Sequence, residues 1–208
     1  MKDKQDYIQD IAEMRSMMER SSKFLSLSGL AGVLAGIYAL VGTYVAYRFL
    51  DFNRGKTVYG ASATEGLSTR LLGTILLAIA ILALAVGTAF FLSYKKAKAR
   101  REKFWNPSAR RLLINMSVPL MAGGILILIL MSKGFIGLMA PFTLLFYGLA
   151  LFNASKFTYE EVRSLGLIQI ILGLISSYFV DYGLVCWALG FGVVHIVYGI
   201  YLHYRYER

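Results

Sequence analysis

Six long apolar segments alternate with polar stretches along this chain. Asp, Glu, Lys and Arg are confined to the ends of these segments and to the stretches between them. A helix needs roughly 20 mostly apolar residues to cross the hydrocarbon core of a bilayer. The pattern predicts six transmembrane helices, at residues 24–49, 71–94, 112–131, 135–153, 165–180 and 184–204.

Two connections between the predicted spans are only three residues long. They are Ser132-Lys133-Gly134 and Asp181-Tyr182-Gly183. Connections this short make consecutive helices antiparallel neighbours. We therefore expect an all-α, polytopic membrane helix bundle whose six helices form three hairpins.

Residues 1–23 are polar, and their pattern predicts a cytoplasmic amphipathic helix. Five acidic residues balance five basic residues in this segment. A helix that lies on a membrane surface usually carries an excess of Lys and Arg, so this segment suits protein contact better. Packing beneath its own bundle is the alternative. The apolar stripe recurs at helical spacing and consists of Tyr7, Ile11, Met14 and Met18.

Lys and Arg are unevenly divided between the two sides that six spans define. Seventeen fall on the side of the termini, and five fall on the other side. The positive-inside rule then places both termini, including the tail 205–208, in the cytoplasm. We expect a multi-pass protein of the plasma (inner) membrane.

The loop 95–111 holds the densest run of basic residues. Its simplest role is to set the topology, with Phe104 and Trp105 as an interfacial anchor. The alternative is recognition of anionic lipid or of a partner. The net charge of +10 reflects this loop and the general asymmetry, and it does not indicate nucleic-acid binding. The expected contact residues are Lys95, Lys96, Arg100 and Arg101.

His195 lies near the middle of the last predicted span, where an ionisable group is a candidate for function. Trp187, Phe191 and Tyr198 share its helix face. This strip is a candidate pocket for a flat hydrophobic ligand, or a proton relay through His195. The alternative is a neutral imidazole, hydrogen-bonded to a tyrosine or a carbonyl in a packed core.

Pro119 and Pro141 fall within the third and fourth predicted spans. Each proline frees the carbonyl four residues earlier, which belongs to Asn115 and Gly137. Transporters use broken helices to build sites near the membrane midplane. The hairpin, with Asn115, is therefore a second candidate ligand site, and ordinary proline kinks are the alternative.

Small and polar residues inside the spans predict contacts between helices. Ser28, Gly32 and Gly36 lie at four-residue spacing, which favours close helix packing within the bundle or between two copies. The other polar groups are expected to hydrogen-bond between helices rather than to bind substrate. These are Asn115, Asn153, Gln169, Ser176 and Ser177.

The chain offers little catalytic chemistry. It has one cysteine, Cys186, and two histidines, and all twelve acidic residues lie in termini or loops. We predict no catalytic residues, metal or cofactor. The leading hypothesis is a non-enzymatic membrane protein with a regulatory or interaction role, which docks a cytoplasmic partner through its N-terminal helix and basic loop. The alternative is a small channel or carrier for a neutral or hydrophobic compound, using the Pro119/Pro141 hairpin and the His195 face.

Overall fold

A computed structural model describes residue 24 and residues 27–49, 65–99 and 104–207. These residues are almost entirely helical, and no strand occurs among them. The predicted helical class is confirmed. The predicted N-terminal helix, with Tyr7, Ile11, Met14 and Met18, lies outside the described residues, as do Arg100 and Arg101.

Five helices precede a segmented C-terminal one. They are α1 (Gly29–Phe49), α2 (Glu65–Ala99), α3 (Pro107–Ser132), α4 (Met139–Ala154) and α5 (Glu161–Tyr178). The last helix starts as α6 (Gly183–Trp187), continues through a π-helical segment (Ala188–Val194), and ends as α7 (His195–Tyr206). Short 3₁₀ turns flank α4 at Ile136–Leu138 and Ser155–Phe157, and a third turn, Val180–Tyr182, precedes α6.

Five helices among the described residues are long and apolar enough to cross a membrane. They are Gly29–Arg48, Leu72–Ala99, Pro107–Ser132, Ile136–Phe157 and Val180–Tyr206. We call the last of these the C-terminal span. The sequence predicts six, and the helix missing from this set is α5. It has only 18 residues and carries Glu161, Arg163 and Gln169, which lower its hydropathy.

The connection between α3 and α4 turns within three residues. Gly134 adopts a φ of 79°, in the left-handed region that glycine enters without steric cost. The N–H of Phe135 then donates to the carbonyl of Leu130 at 2.9 Å, which satisfies one of the free carbonyls at the end of α3. The chain therefore reverses at the short linker that the sequence indicates.

Helices α4 and α5 pack side by side through glycine. A Cβ added to Gly148 would lie 2.7 Å from the carbonyl oxygen of Gly166, and one added to Gly173 would lie 2.8 Å from the amide nitrogen of Leu145. The end of α4 thus faces the start of α5, and the start of α4 faces the end of α5. The two helices run antiparallel with their backbones in close contact.

Helix α1 packs against the C-terminal span in the same way. A Cβ on Gly36 would meet the carbonyl oxygen of Gly192 at 2.6 Å, and one on Gly32 would lie 3.2 Å from the Cα of Gly199. The small-residue stripe of the first predicted span is therefore used within the bundle.

Helix α2 lies at the periphery. It contacts chiefly α1, where a Cβ on Gly42 would collide with the side chain of Ile81. Apolar side chains elsewhere on α2 are exposed, including Leu82 at 63% and Phe91 at 64%. A helix that is apolar on all its faces suits a lipid environment.

The two ends of the bundle differ in charge. We call one of them the basic end. Helices α1, α3 and α5 begin there, and helices α2, α4 and α7 end there. The opposite end carries Arg48, Lys133 and Asp181. The exposed basic residues of the basic end are Lys95, Lys98, Arg110, Arg111, Lys156, Arg163 and Arg205.

Candidate functional site

The π-helical segment brings His195 against α4 and α5. The wider turns of a π-helix disturb the regular backbone bonding and are often found at functional positions. Here the carbonyl of Gly190 accepts two side-chain hydrogen bonds, from His195 Nδ1 at 2.8 Å and from Gln169 Nε2 at 2.7 Å. His195 Nε2 lies 2.9 Å from the hydroxyl of Tyr147. His195 and the Gly190 carbonyl together thus link the C-terminal span to α4, through Tyr147, and to α5, through Gln169.

The partners of His195 assign its tautomer. A carbonyl oxygen can only accept, so Nδ1 carries the proton and donates it to Gly190. Nε2 of the neutral ring then accepts from the Tyr147 hydroxyl. Gln169 Nε2 also lies 3.4 Å from Nδ1, but two donors do not bond each other, so the Gln169 amide serves the carbonyl.

Glycine at position 190 makes this arrangement sterically possible. A Cβ there would lie 2.5 Å from Gln169 Oε1 and 2.5 Å from Leu144 Cδ2. Both Gln169 and Leu144 are fully buried. Any larger residue would displace these two buried side chains, and moving the Gln169 amide would disturb its hydrogen bond to the Gly190 carbonyl.

The predicted aromatic strip does lie along one face of the C-terminal span. The ring centroids of Trp187 and Phe191 are 4.9 Å apart, and those of Phe191 and His195 are 5.8 Å apart. Tyr147 of α4 packs against Phe191 at 5.0 Å. The hydroxyl of Tyr198 is 2.7 Å from Ser164 Oγ on α5. Neighbouring helices therefore supply contacts along this face.

This cluster has limited free hydrogen-bonding capacity. Both nitrogens of His195 are engaged within the chain, so a ligand would have to displace Tyr147 or Gly190. A channel or carrier working through this face would have to break the same bonds. Among the described residues, three buried side-chain oxygens have no hydrogen-bond partner: Gln169 Oε1 within this cluster, and Glu161 Oε2 and Ser176 Oγ elsewhere on α5.

The second candidate site is the Pro119/Pro141 hairpin with Asn115. In the described part of the chain, no hydrogen bond joins it to the His195 cluster. The side-chain amide of Asn115 donates to the carbonyl of Arg111 in its own helix at 2.8 Å, instead of reaching another helix. Pro119 lies inside α3 and is only half-buried. Pro141 is fully buried in the first turn of α4, where a missing N–H costs little. Pro141 was expected to interrupt the fourth span. It lies instead where α4 begins.

The residues that complete the His195 cluster are Tyr147, Gln169 and Gly190. Gln169 stood out in the sequence as a polar group in an apolar run, and it does bond between helices. Tyr147 gave no signal, because tyrosine is common in such runs. Gly190 gave none either, because the π-helical segment depends on tertiary packing.

A second polar cluster joins helices at the basic end. Glu207 Oε1 accepts from the backbone N–H of Gly29 at 2.9 Å and from Lys96 Nζ at 2.8 Å. Glu207 Oε2 bonds His203 Nδ1 at 2.5 Å. The carboxylate therefore satisfies one of the free N–H groups at the start of α1 and compensates the positive end of the helix dipole.

The charge of Glu207 is stabilised by these partners. Burial alone raises the pKa of Glu207, but hydrogen bonds from Lys96, His203 and Gly29 outweigh burial and lower that pKa to about 2. The side chains of Glu207 and Lys96 are each only 12% exposed. This ion pair is thus better shielded from solvent than an ordinary surface pair.

Lys96 is committed to this cluster, although the sequence suggests that it contacts lipid or a partner. Its ammonium also donates to the carbonyl of Leu27 at 2.5 Å and lies over the ring of Tyr159. Lys95, the neighbouring predicted contact, is exposed. Helical geometry points the two side chains in different directions, so of these two lysines Lys95 is the one available on the surface.

Phe24 ties the start of the first span to the rest of the bundle. Its N–H donates to the carbonyl of Phe157 at 2.6 Å, and its carbonyl accepts from Thr158 Oγ1 at 2.8 Å. Its ring meets Phe104 edge-on at 5.9 Å. Phe104 in turn packs against Phe90 of α2, with centroids 5.0 Å apart. Phe24 itself is buried.

Comparisons with known proteins identify no relative: no family model, curated protein or solved structure matches the chain. Among the residues that the structure describes, no three His, Cys, Asp or Glu side chains are grouped to hold a metal ion.

Removing the Tyr147 hydroxyl tests whether the His195 cluster stabilises the bundle. Tyr147→Phe leaves His195 Nε2 buried without a donor, which we expect to cost about 1–2 kcal/mol of stability. The matched control is Tyr178→Phe, because Tyr178 is 83% exposed. The measurement is the Tm in detergent. Equal Tm values for the two variants would contradict a stabilising role for this hydrogen bond.

Acidification tests the Glu207 cluster. Because the folded pKa is about 2, below the ordinary value of 4.5, the ionised carboxylate stabilises the fold fully above about pH 5. That stabilisation is lost as the pH falls from 4.5 towards 2. We expect the Tm of the wild-type protein to drop more steeply in this window than that of Glu207→Gln, which starts lower at neutral pH. Parallel curves would show that Glu207 contributes no pH-dependent stability.

Proposed function

We propose that this chain is a non-enzymatic, multi-pass protein of the inner membrane with a regulatory or interaction role. It docks a cytoplasmic partner through the predicted N-terminal helix and the basic loop 95–111. The observation that supports this most directly is the contact between Phe24 and Phe104. Phe24 follows the predicted docking helix, and Phe104 lies within the basic loop.

The packing around Phe24 suits the presentation of two binding elements side by side. Phe24, Ala109, Leu112 and Ala154 form one buried hydrophobic cluster at the basic end. Because Phe24 packs here against residues of α3 and α4, the residue that follows the predicted docking helix has a fixed position in the bundle. A partner that contacts both the N-terminal stripe and the basic loop then meets them in one orientation, which reduces the entropic cost of binding.

The proposal includes six spans, with both termini and the basic loop in the cytoplasm. Five candidate spans exclude α5, and adding α5 brings the number to six. Support for α5 as a span comes from its antiparallel contact with α4 along the length of both helices. Its outer face is apolar and exposed, with Ile171 at 54% and Leu174 at 57%. A helix that lies beside a spanning helix over this length occupies the same layer of the membrane. The proposal also keeps the three hairpins, which rest on the short connections between consecutive helices.

A pair of matched substitutions tests the docking helix. Ile11→Glu puts a charge on the predicted apolar stripe, whereas Gln9→Glu adds the same charge on the opposite face of that helix. Desolvating a charge at an interface should weaken partner binding by about tenfold or more. We expect Ile11→Glu to lose the partner that crosslinks to the wild-type protein in native membranes, and Gln9→Glu to retain it.

Two further variants complete this test. Deletion of residues 1–20 should abolish crosslinking altogether. Lys95→Glu should reduce it, whereas Lys133→Glu, the same change at the opposite end of the bundle, should not. Undiminished crosslinking of one partner after deletion of residues 1–20 would refute the docking role of this segment.

A further inference from the structure

A cavity of about 400 Å³ opens at the end of the bundle opposite the basic end. It lies between α1 and the turns that lead into α4 and α6. Its volume falls in the range of small-molecule sites, roughly 300–1,000 Å³. Most of its lining is apolar or aromatic, and the residues that matter for its chemistry are Leu40, Tyr44, Tyr47, Ala140, Asp181 and Val185.

The cavity has one ionisable acid, Asp181. This carboxylate is exposed, and no cation or hydrogen-bond donor pairs with it within the described part of the chain. The other polar side chain suited to binding is Thr43, whose hydroxyl already donates to the carbonyl of Ala39 at 2.9 Å. The strongest polar feature of the cavity is therefore a negative charge.

Two tyrosines add a second preference for positive charge. Tyr44 and Tyr47 lie on neighbouring turns of α1, and both line the cavity with more than half of their surface exposed. The faces of aromatic rings attract organic cations, and the attraction is greatest where water is excluded. Apolar walls, two tyrosine rings and one carboxylate together match a molecule with an apolar body and a positive charge.

We propose that this cavity binds a lipophilic organic cation that arrives from the aqueous side opposite the basic end. The apolar body occupies the space between Leu40, Ala140 and Val185, and the cationic centre faces Asp181 and the tyrosines. This site goes beyond the proposed docking function and does not depend on it. Ala188, the first residue of the π-helical segment, also lines the cavity. An occupant therefore contacts the segment that carries the Gly190 carbonyl.

A pair of ions with the same shape and opposite charge tests this site. Tetraphenylphosphonium and tetraphenylborate have nearly the same size and shape but opposite charges. A preference for one ion therefore distinguishes binding at a specific site from general partitioning into the detergent. The full-length protein is used in a neutral maltoside detergent, and binding is measured by equilibrium dialysis with labelled ions. We expect saturable binding of the phosphonium ion and only unsaturable partitioning of the borate ion.

Three variants locate the binding. Asp181→Asn should weaken phosphonium binding by roughly fivefold or more, since it removes a charge near the cation. Ala140→Leu should also weaken it, by filling the cavity. Glu160→Gln removes a carboxylate at the basic end and should leave binding unchanged. Equal affinities for wild type and Asp181→Asn, or saturable binding of both ions, would overturn the proposal.

A competition experiment distinguishes a free cation from a lipid headgroup. Phosphatidylcholine carries a quaternary ammonium, so it could occupy the same cavity from the membrane. If added phosphatidylcholine leaves phosphonium binding intact, the occupant is a free cation as proposed. If it displaces the phosphonium ion from the wild-type protein competitively, the cavity is a lipid site and the proposal is wrong.

Discussion

Close contact between helix backbones at glycine is the constraint on which this bundle depends. Lipid tails are as apolar as leucine, so helices in a bilayer gain little from burying apolar side chains against one another. Van der Waals packing and hydrogen bonds must hold them together instead. Gly36 against Gly192 and Gly148 against Gly166 bring the backbones into the range where both kinds of contact are effective.

The polar bonds of the interior follow from this packing. Because α4, α5 and the C-terminal span lie so close, Tyr147 and Gln169 can reach His195 and Gly190 directly. The π-helical segment then supplies a carbonyl acceptor in the middle of an apolar layer. At the basic end, the close approach of α1 to α7 lets Glu207 cap the start of α1. Both clusters are consequences of helix proximity.

The sequence predicted the features that depend on average composition. Apolar runs and helix period were sufficient for the helical class and for the short reversal at Gly134. They also singled out the aromatic face around His195 and the small-residue stripe with Gly36. These features are local, so one stretch of sequence contains the information needed to predict them.

Features that depend on which helices meet could not be read from the sequence. Lys96 looked like any other lysine of the basic loop, and only the return of α7 to the start of α1 reveals its pairing with Glu207. Pro141 looked like a helix breaker because the 3₁₀ turn before α4 was not foreseen. Tyr147 and Gly190 were missed for the same reason, since their roles depend on contacts between distant segments.

Cysteine accessibility across α5 tests the membrane arrangement most directly. Glu160 and Asp181 lie just beyond the two ends of this helix and are both exposed, so Glu160→Cys and Asp181→Cys can be compared in a Cys186→Ser background. A membrane-impermeant maleimide is applied to intact cells and then to permeabilised cells. The six-span arrangement predicts labelling of Asp181→Cys in intact cells and of Glu160→Cys only after permeabilisation. Labelling of both positions from the same side would contradict it.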